Sequence, residues 1–394
     1  MIKTSWWQKA VLISLSVVLS VFAAEIVLRV IYPAPTKYFV WQPDIKHIFH
    51  ADTSVLRGIQ GISRFTINQY GVRTEQERIN LFSKTAQEDD HNEKYILCIG
   101  GSTTECLYLD DSATWPAQIE RLASNNPASN LKYVASIGKS GCTTIENYIQ
   151  LKYCVSQYHQ INTIICMVGF NDMLKHLAQD SLYHSHFNFS GEVADSLANT
   201  VLIKQGIKQS ATWWRRTALF NLIQKFYRHQ QPVDPDMLVQ DDKAEIYKQW
   251  RKNRASALAI LDSLPDMTSA LNEFARNLNL MIDEAQRQQL GIIFVNQSAL
   301  WKDDMSKDEL SSLWMGGIGK YQAEPGHLYY STAALQRGLE MYNAVLAKTC
   351  AVRKVHYVDL DSKLPHNADV FYDDCHFTGY GAALAGRIIY DEIK

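Results

Sequence analysis

The chain has 394 residues, 46% of them hydrophobic and 20% charged, which is ample for a buried core and gives a soft expectation of about two to three domains. That composition excludes a disordered chain, a collagen and a disulfide-stapled miniprotein. With 39 Lys and Arg against 41 Asp and Glu the net charge is −2, so no global basic field recruits nucleic acid, and none is expected as a partner.

Ala10 to Ala24 carries no charge and follows Lys3 and Lys9. A spanning helix needs about 20 apolar residues, and the run reaches that length by continuing through Glu25 to Tyr32. Glu25 and Arg29 stand four apart and share a helix face. Pro33 and Pro35 end the pattern. The expectation is an uncleaved transmembrane anchor over 10–32, with 1–9 in the cytoplasm. A secretory signal cleaved after Val21-Phe22-Ala23 is the alternative, and a buried core helix a third reading. Either export reading places the body on the periplasmic side of the cell inner membrane. The charge bias supporting this is thin: Lys3 and Lys9 inside, Arg29 and Lys37 outside.

Residues 33–92 show no strong period and read as a membrane-proximal segment and linker, ending in a polar stretch from Lys84. From residue 93 the pattern changes. Short apolar runs begin at Tyr95, Leu131, Asn162, Gly291 and Val355, most of them rich in Val and Ile and apolar on both faces. Strands of a parallel sheet covered on both sides read this way. Helical patterns lie between them, from Trp115, from Thr143 to Tyr158, from Ser269 and from Leu335, and a last one from Gly379 closes the chain. Alternating strands and helices imply right-handed crossovers and an open α/β sandwich. Residues about 176–265 break the alternation and read as a helical insertion. Within it, Ser196 to Val233 holds Lys204, Lys208, Arg215, Arg216, Lys225 and Arg228 without an acid, beside Trp213, Trp214, Phe220, Phe226 and Tyr227. A helical cap with a solvated basic face is the plain reading. A membrane-lying helix or a lid is the sharper one.

Ligands of such sheets bind beyond the carboxyl ends of the strands. The residues there are Gly100-Gly101-Ser102-Thr103, Gly138-Lys139-Ser140-Gly141, Gly169-Phe170-Asn171-Asp172 and, near the carboxyl end, Asp373-Asp374-Cys375-His376. Singly, each is a turn, a cap or a surface histidine. Together they are the parts of acyl-transfer chemistry. Ser102 is a weak nucleophile until a base takes its proton, His376 is that base, and Asp373 fixes the useful tautomer. The backbone amides of Ser102 and Gly141 and the side chain of Asn171 are the candidate oxyanion donors.

These four blocks, in order, resemble the SGNH (GDSL-type) hydrolase superfamily. Ser102 matches its nucleophile block, Gly141 its second, Asn171 its G-x-N-D block, and Asp373 with His376 its terminal D-x-x-H. Ser112 to Leu122 and Phe371 to Gly381 match the surroundings. The resemblance covers about Tyr95 to the carboxyl terminus. It implies a flavodoxin-like three-layer α/β/α sandwich with a five-stranded parallel sheet in residues 93–394, interrupted by the helical insertion and preceded by the N-terminal transmembrane helix. It also implies ester hydrolysis or acyl transfer with no metal or other cofactor. The anchor, GGS in place of GDS, and a long insertion resemble bacterial members associated with envelope sugars. Two departures stand out. Gly101 replaces the usual Asp before the serine, and Asp374 adds a second carboxylate, expected to face solvent or a neighbouring amide.

The seven cysteines cannot all pair, and none stand in C-x-x-C spacing. Cys98 and Cys166 are expected as buried thiols. Cys142 and Cys375 each adjoin a catalytic block, and free thiols are expected there, with a bridge as the alternative. His176, His184 and His186 lack the acids or thiols that would complete a metal site. Asp172 is expected to tether its own loop. The expected function is a membrane-anchored serine esterase removing an O-acetyl or similar acyl group from a glycan. An O-acyltransferase, a lipid esterase and a non-catalytic glycan-binding scaffold are the alternatives. Oligomeric state is left open.

Overall fold

The computed structural model describes residues 6–31, 38–76, 79–83, 92–183, 191–203 and 243–394. The chain divides into two units: Met1–Tyr38 with Lys204–Asp236, and Phe39–Ile203 with Met237–Lys394. In the first unit the described element is α1 (Trp6–Ile31), apolar all round, with its side chains largely exposed. At 1.5 Å per residue its 26 residues span about 39 Å, longer than a bilayer's hydrocarbon core.

The second unit is built on five parallel strands: β3 (Lys94–Gly100), β4 (Leu131–Ser136), β5 (Thr163–Met167), β7 (Gly291–Val295) and β9 (His356–Val358). They lie in the order β4-β3-β5-β7-β9, with Leu97 opposite both Ala135 and Ile164, and Cys166 opposite Phe294. Most of their residues are buried on both faces, because helices cover both. On one side α3 (Trp115–Ser124) packs against α11 (Gly379–Ile393). On the other α4 (Thr144–Ile149), α5 (Phe170–Gln179), α8 (Thr268–Arg287) and α10 (Thr332–Arg353) pack among themselves. This is the three-layer α/β/α sandwich expected. The chain starts the sheet at β3, goes to one side for β4 and returns to the other for β5. The order therefore reverses at β3, and the crevice beyond its carboxyl end is the topological switch point where ligands bind.

Three elements differ from the sequence reading. Residues 39–83 are not a plain linker: β1 (Lys46–His50) and β2 (Ile62–Thr66) pair as an antiparallel hairpin, and Phe39, Val40, Phe49, Phe65, Ile67 and Val72 are buried in the second unit. The helix expected from Thr143 to Tyr158 is three pieces. One α turn at Thr144–Ile149 widens to a π turn at Gln150–Cys154 and tightens to a 3-10 turn at Val155–Gln157. The insertion is helical at α6 (Gly191–Val201) and α7 (Lys243–Ala255), yet it ends in a strand, β6 (Ala259–Leu261), paired in parallel with β8 (Leu328–Tyr330). Its basic aromatic stretch from Lys204 to Arg228 lies outside the described residues, as do His184, His186 and residues 84–91 of the polar tail.

Candidate active site

Ser102 is the first residue of α2 (Ser102–Glu105), two residues past the end of β3, and is half-buried. The end of that short helix is held from below by Arg73. Its guanidinium donates to the carbonyls of Glu105 (2.6 Å), Cys106 (3.1 Å), Leu109 (2.6 Å) and Arg64 (3.1 Å), and its Nε donates to Asp111 Oδ1 at 2.7 Å. The 39–83 segment thus reaches under the nucleophile turn, satisfying carbonyls that a helix end leaves unpaired.

His376 and Asp373 come from the loop before α11, where Thr378 Oγ1 accepts from Gly381 N at 3.0 Å as the helix cap. His376 Nε2 lies 2.8 Å from Ser102 Oγ, and His376 Nδ1 lies 2.7 Å from Asp373 Oδ2. Asp373 is fully buried. Its Oδ1 also accepts the backbone N–H groups of Cys375 (3.1 Å) and His376 (2.9 Å), and its Oδ2 accepts Trp314 Nε1 at 2.9 Å. The Tyr372 ring lies nearly parallel to the imidazole, centroids 5.5 Å apart. Burial alone would raise the Asp373 carboxyl, but the charge of His376 and these donors hold it below the usual carboxylate range. For His376 burial pulls down and Asp373 pushes up, and the net direction is up. An imidazole so poised can take a proton from Ser102 and keep it while charge develops.

Across the crevice Gly141 has φ +77°, the left-handed region, and open space where a side chain would stand. The backbone N–H groups of Ser102 and Gly141 have no acceptor among the described residues. Asn171, the second residue of α5, donates one amide hydrogen to Cys142 O at 2.9 Å, leaving its other for a ligand. The missing Asp at 101 has a spatial reason: a Cβ on Gly101 would stand 2.3 Å from Asn171 Nδ2. The loop that carries Gly141 is pinned by buried Glu105, which accepts from Ser140 N (2.6 Å) and from the Ser140 hydroxyl.

Asp374 corrects one half of its expectation. It does not face solvent: it is fully buried, its Oδ1 accepting from Trp301 Nε1 (3.0 Å) and its Oδ2 from the backbone N–H groups of Trp314 (2.8 Å) and Met315 (3.1 Å). Asp172 reaches beyond its own loop. It accepts from Thr144 N (3.1 Å) and Thr144 Oγ1 (2.5 Å), joining α5 to the start of α4, and burial raises its carboxyl to about 7. All seven cysteines are free and buried, Cys98 and Cys166 as expected. Burial pushes the Cys142 thiol up to about 12 and raises the Cys375 thiol well above its usual range. His176 is buried edge-on against Tyr183, centroids 4.6 Å apart. Ligand atoms of Asp373, Cys375 and His376 lie within 4.8 Å of one another, but Asp373 and His376 already bond each other and the Cys375 thiol holds its proton. That donor set does not fit an ion.

Trp314, Glu105 and Arg73 were not expected at the site. The contacts that bring them there, Arg73 with Glu105 O, Glu105 with Ser140 and Trp314 with Asp373, span 32, 35 and 59 residues, and no local period marks them. The one signal available was for Glu105, an acid in the GGSTTE block whose neighbours are otherwise small or uncharged.

Residues 98–384 match the GDSL-like Lipase/Acylhydrolase family. No curated protein matches the chain. Similar solved structures include a catalytic mutant of Axe2, an acetylxylan esterase from Geobacillus stearothermophilus (13% identity, 76% of this chain and 94% of that one, TM-score 0.39). Another is LAE5, an alpha/beta hydrolase enzyme from the metagenome of Lake Arreo, Spain (13% identity, 76% and 94%, TM-score 0.39).

Proposed function

The chain belongs to the GDSL-like lipase/acylhydrolase family, and from that premise we propose that it is a membrane-anchored serine esterase that removes a small acyl group, O-acetyl first among them, from an envelope or exported glycan. The observation that carries the chemistry is the relay Asp373–His376–Ser102, with its two contacts of 2.7 and 2.8 Å.

In this reading Ser102 Oγ attacks the ester carbonyl carbon while its proton passes to His376 Nε2. The oxyanion accepts from the N–H groups of Ser102 and Gly141 and from the free amide hydrogen of Asn171. The imidazolium returns the proton to the leaving alkoxide, which departs as the sugar hydroxyl and leaves an acyl-Ser102 ester. Water, deprotonated by the same imidazole, attacks that ester and releases the carboxylic acid and Ser102. No step calls for a metal or another cofactor.

A glycan ester is favoured by the rim of the oxyanion loop. Trp41 Nε1 donates to Gly138 O at 2.9 Å, Lys139 Nζ lies 5.4 Å from the Trp41 ring centroid, and Trp41 and Lys139 are half-exposed beside exposed Ser140. An aromatic side chain among hydrogen-bonding groups suits a hydroxylated ring better than a long acyl chain. Anchoring is favoured by α1, long and apolar enough to cross a bilayer. The catalytic body would then stand on the extracytoplasmic side.

The test is hydrolysis of 4-nitrophenyl acetate by the full chain and by Ser102→Ala. The variant should lose about 10³-fold or more in kcat. Unchanged turnover would remove Ser102 from the mechanism. Acetate appearing on an added sugar acceptor instead of in solution would assign transfer in place of hydrolysis, and strong preference for long acyl chains would assign lipid.

A further inference from the structure

Helix α7, the carboxyl-terminal helix of the insertion, lies against the loop that carries Asp373 and His376. Arg251 donates to the carbonyls of Tyr372 (3.3 Å), Ser312 (3.1 Å) and Val55 (2.7 Å). Arg254 donates to those of Met315 (2.5 Å) and Tyr330 (3.0 Å). Between these two arginines the segment Leu313–Met315 is held on both sides. Asp374 accepts the backbone N–H groups of Trp314 and Met315, at 2.8 and 3.1 Å, and Arg254 takes the Met315 carbonyl. The Trp314 ring is packed 4.4 Å from Trp250 and edge-on to Tyr247 at 5.9 Å, centroid to centroid. So fixed, its indole N–H points at one atom, Asp373 Oδ2, at 2.9 Å. That oxygen is the one that also accepts from His376 Nδ1.

We propose that Trp314 is a positioning residue for the catalytic pair: its indole N–H shares Asp373 Oδ2 with His376 Nδ1, and Asp374 and Arg254 hold it there. The proposal rests on the reading that Ser102, His376 and Asp373 carry out the reaction.

Each Asp373 oxygen has two donors: Oδ1 the N–H groups of Cys375 and His376, Oδ2 the Trp314 indole and the His376 imidazole. Donors around the carboxylate stop it from rotating, so the imidazole keeps its bearing on Ser102. The indole N–H also draws charge from the carboxylate. Without it, Asp373 is a stronger partner for imidazolium, and His376 holds its proton to higher pH. The other charged or titratable groups acting on this pair are Asp374 and Glu105 toward His376, and Asp374, Cys375, Tyr247, Tyr372 and Arg251 toward Asp373. None of them donates to Asp373 Oδ2.

The experiment is the pH profile of kcat/KM for 4-nitrophenyl acetate, measured on the full chain, Trp314→Phe, Trp250→Phe and Ser102→Ala. Trp314→Phe keeps an aromatic ring and loses the N–H. Its plateau should fall about tenfold through kcat, with KM changed less than about twofold, and its acid limb should move to higher pH. Trp250→Phe, which keeps an aromatic ring against Trp314 and leaves the indole N–H and its hold by Asp374 and Arg254 intact, should leave the acid limb in place. A Trp314→Phe enzyme with the parent's rate and limb, while Ser102→Ala is inactive, overturns the positioning role alone. Full turnover in Ser102→Ala, or none in the parent, takes down the catalytic reading and this proposal with it. Should Trp314→Phe fail to fold, indole N–H resonances of the 15N-Trp parent decide. One that titrates with the acid limb supports the role, and none doing so overturns it.

Discussion

Gly101 shows how one side chain's absence shapes the site. Asn171 sits where a residue-101 side chain would be, and from there it holds Cys142 O and presents its second amide hydrogen to the crevice. Gly101→Ala should therefore push the Asn171 amide aside without disturbing the fold, since the obstructing atom ends a flexible side chain and φ at 101 is −86°, open to any residue. The expected loss is about 10²-fold in kcat with little change in melting temperature. Steady-state kinetics beside a thermal melt check this, and parent-like kcat in Gly101→Ala would show that the Asn171 position does not matter. At this scale the placement of Ser102, Gly141, Asn171, Asp373 and His376 around one crevice was legible in the sequence, because the first three come shortly after strands and the last two lie in one terminal block. Asp374 was only half legible. Whether a carboxylate beside a catalytic one is solvated depends on Trp301 and Trp314, 73 and 60 residues away, and on nothing adjacent.

Among elements, the 39–83 segment that holds the β1–β2 hairpin does more than cover the body. Arg73, seven residues past β2, donates to the Glu105 and Cys106 carbonyls at the end of α2 and to those of Leu109 and Arg64, and its bond to Asp111 is a buried ion pair, side chains 5% and 10% exposed. Removing one partner of such a pair leaves a buried charge uncompensated, at about 3–5 kcal/mol. Arg73→Ala should destabilise by about that amount, and Arg73→Lys, which keeps the charge and loses the planar fork, by less. Denaturant unfolding of the two variants measures it, and an Arg73→Ala value near zero would mean that α2 needs no support. The hairpin escaped the sequence reading for a physical reason. Its strands are five residues each with mixed burial, and their core positions are completed by aromatic contacts such as Phe49 with Tyr108. The five sheet strands were legible because double-sided burial writes a continuous apolar run. The break in the helix after Ile149 was not, since the residues through the π turn keep a helical pattern.

For the whole molecule, the fold bears on the proposed chemistry and the amino-terminal helix on the proposed place. The sheet's order reversal puts the ends of β3, β4 and β5 around one crevice, and the loop before α11 brings His376 and Asp373 to it. None of that requires a membrane, so α1 serves a separate purpose. Its apolar surface runs around the whole helix, which in water would be a large exposed patch of the kind that marks membrane insertion or association. As the proposed anchor, α1 would confine the enzyme to substrates that reach the membrane face and raise its local concentration there without any new contact at the site. An anchor and a cleaved signal differ in two observables. The anchored chain should stay in the membrane pellet after alkaline carbonate, keep its original amino terminus, and be digested by protease added from the extracytoplasmic side. A soluble mature chain beginning near Ala24 would replace the tether with secretion, and protection from external protease would reverse the orientation.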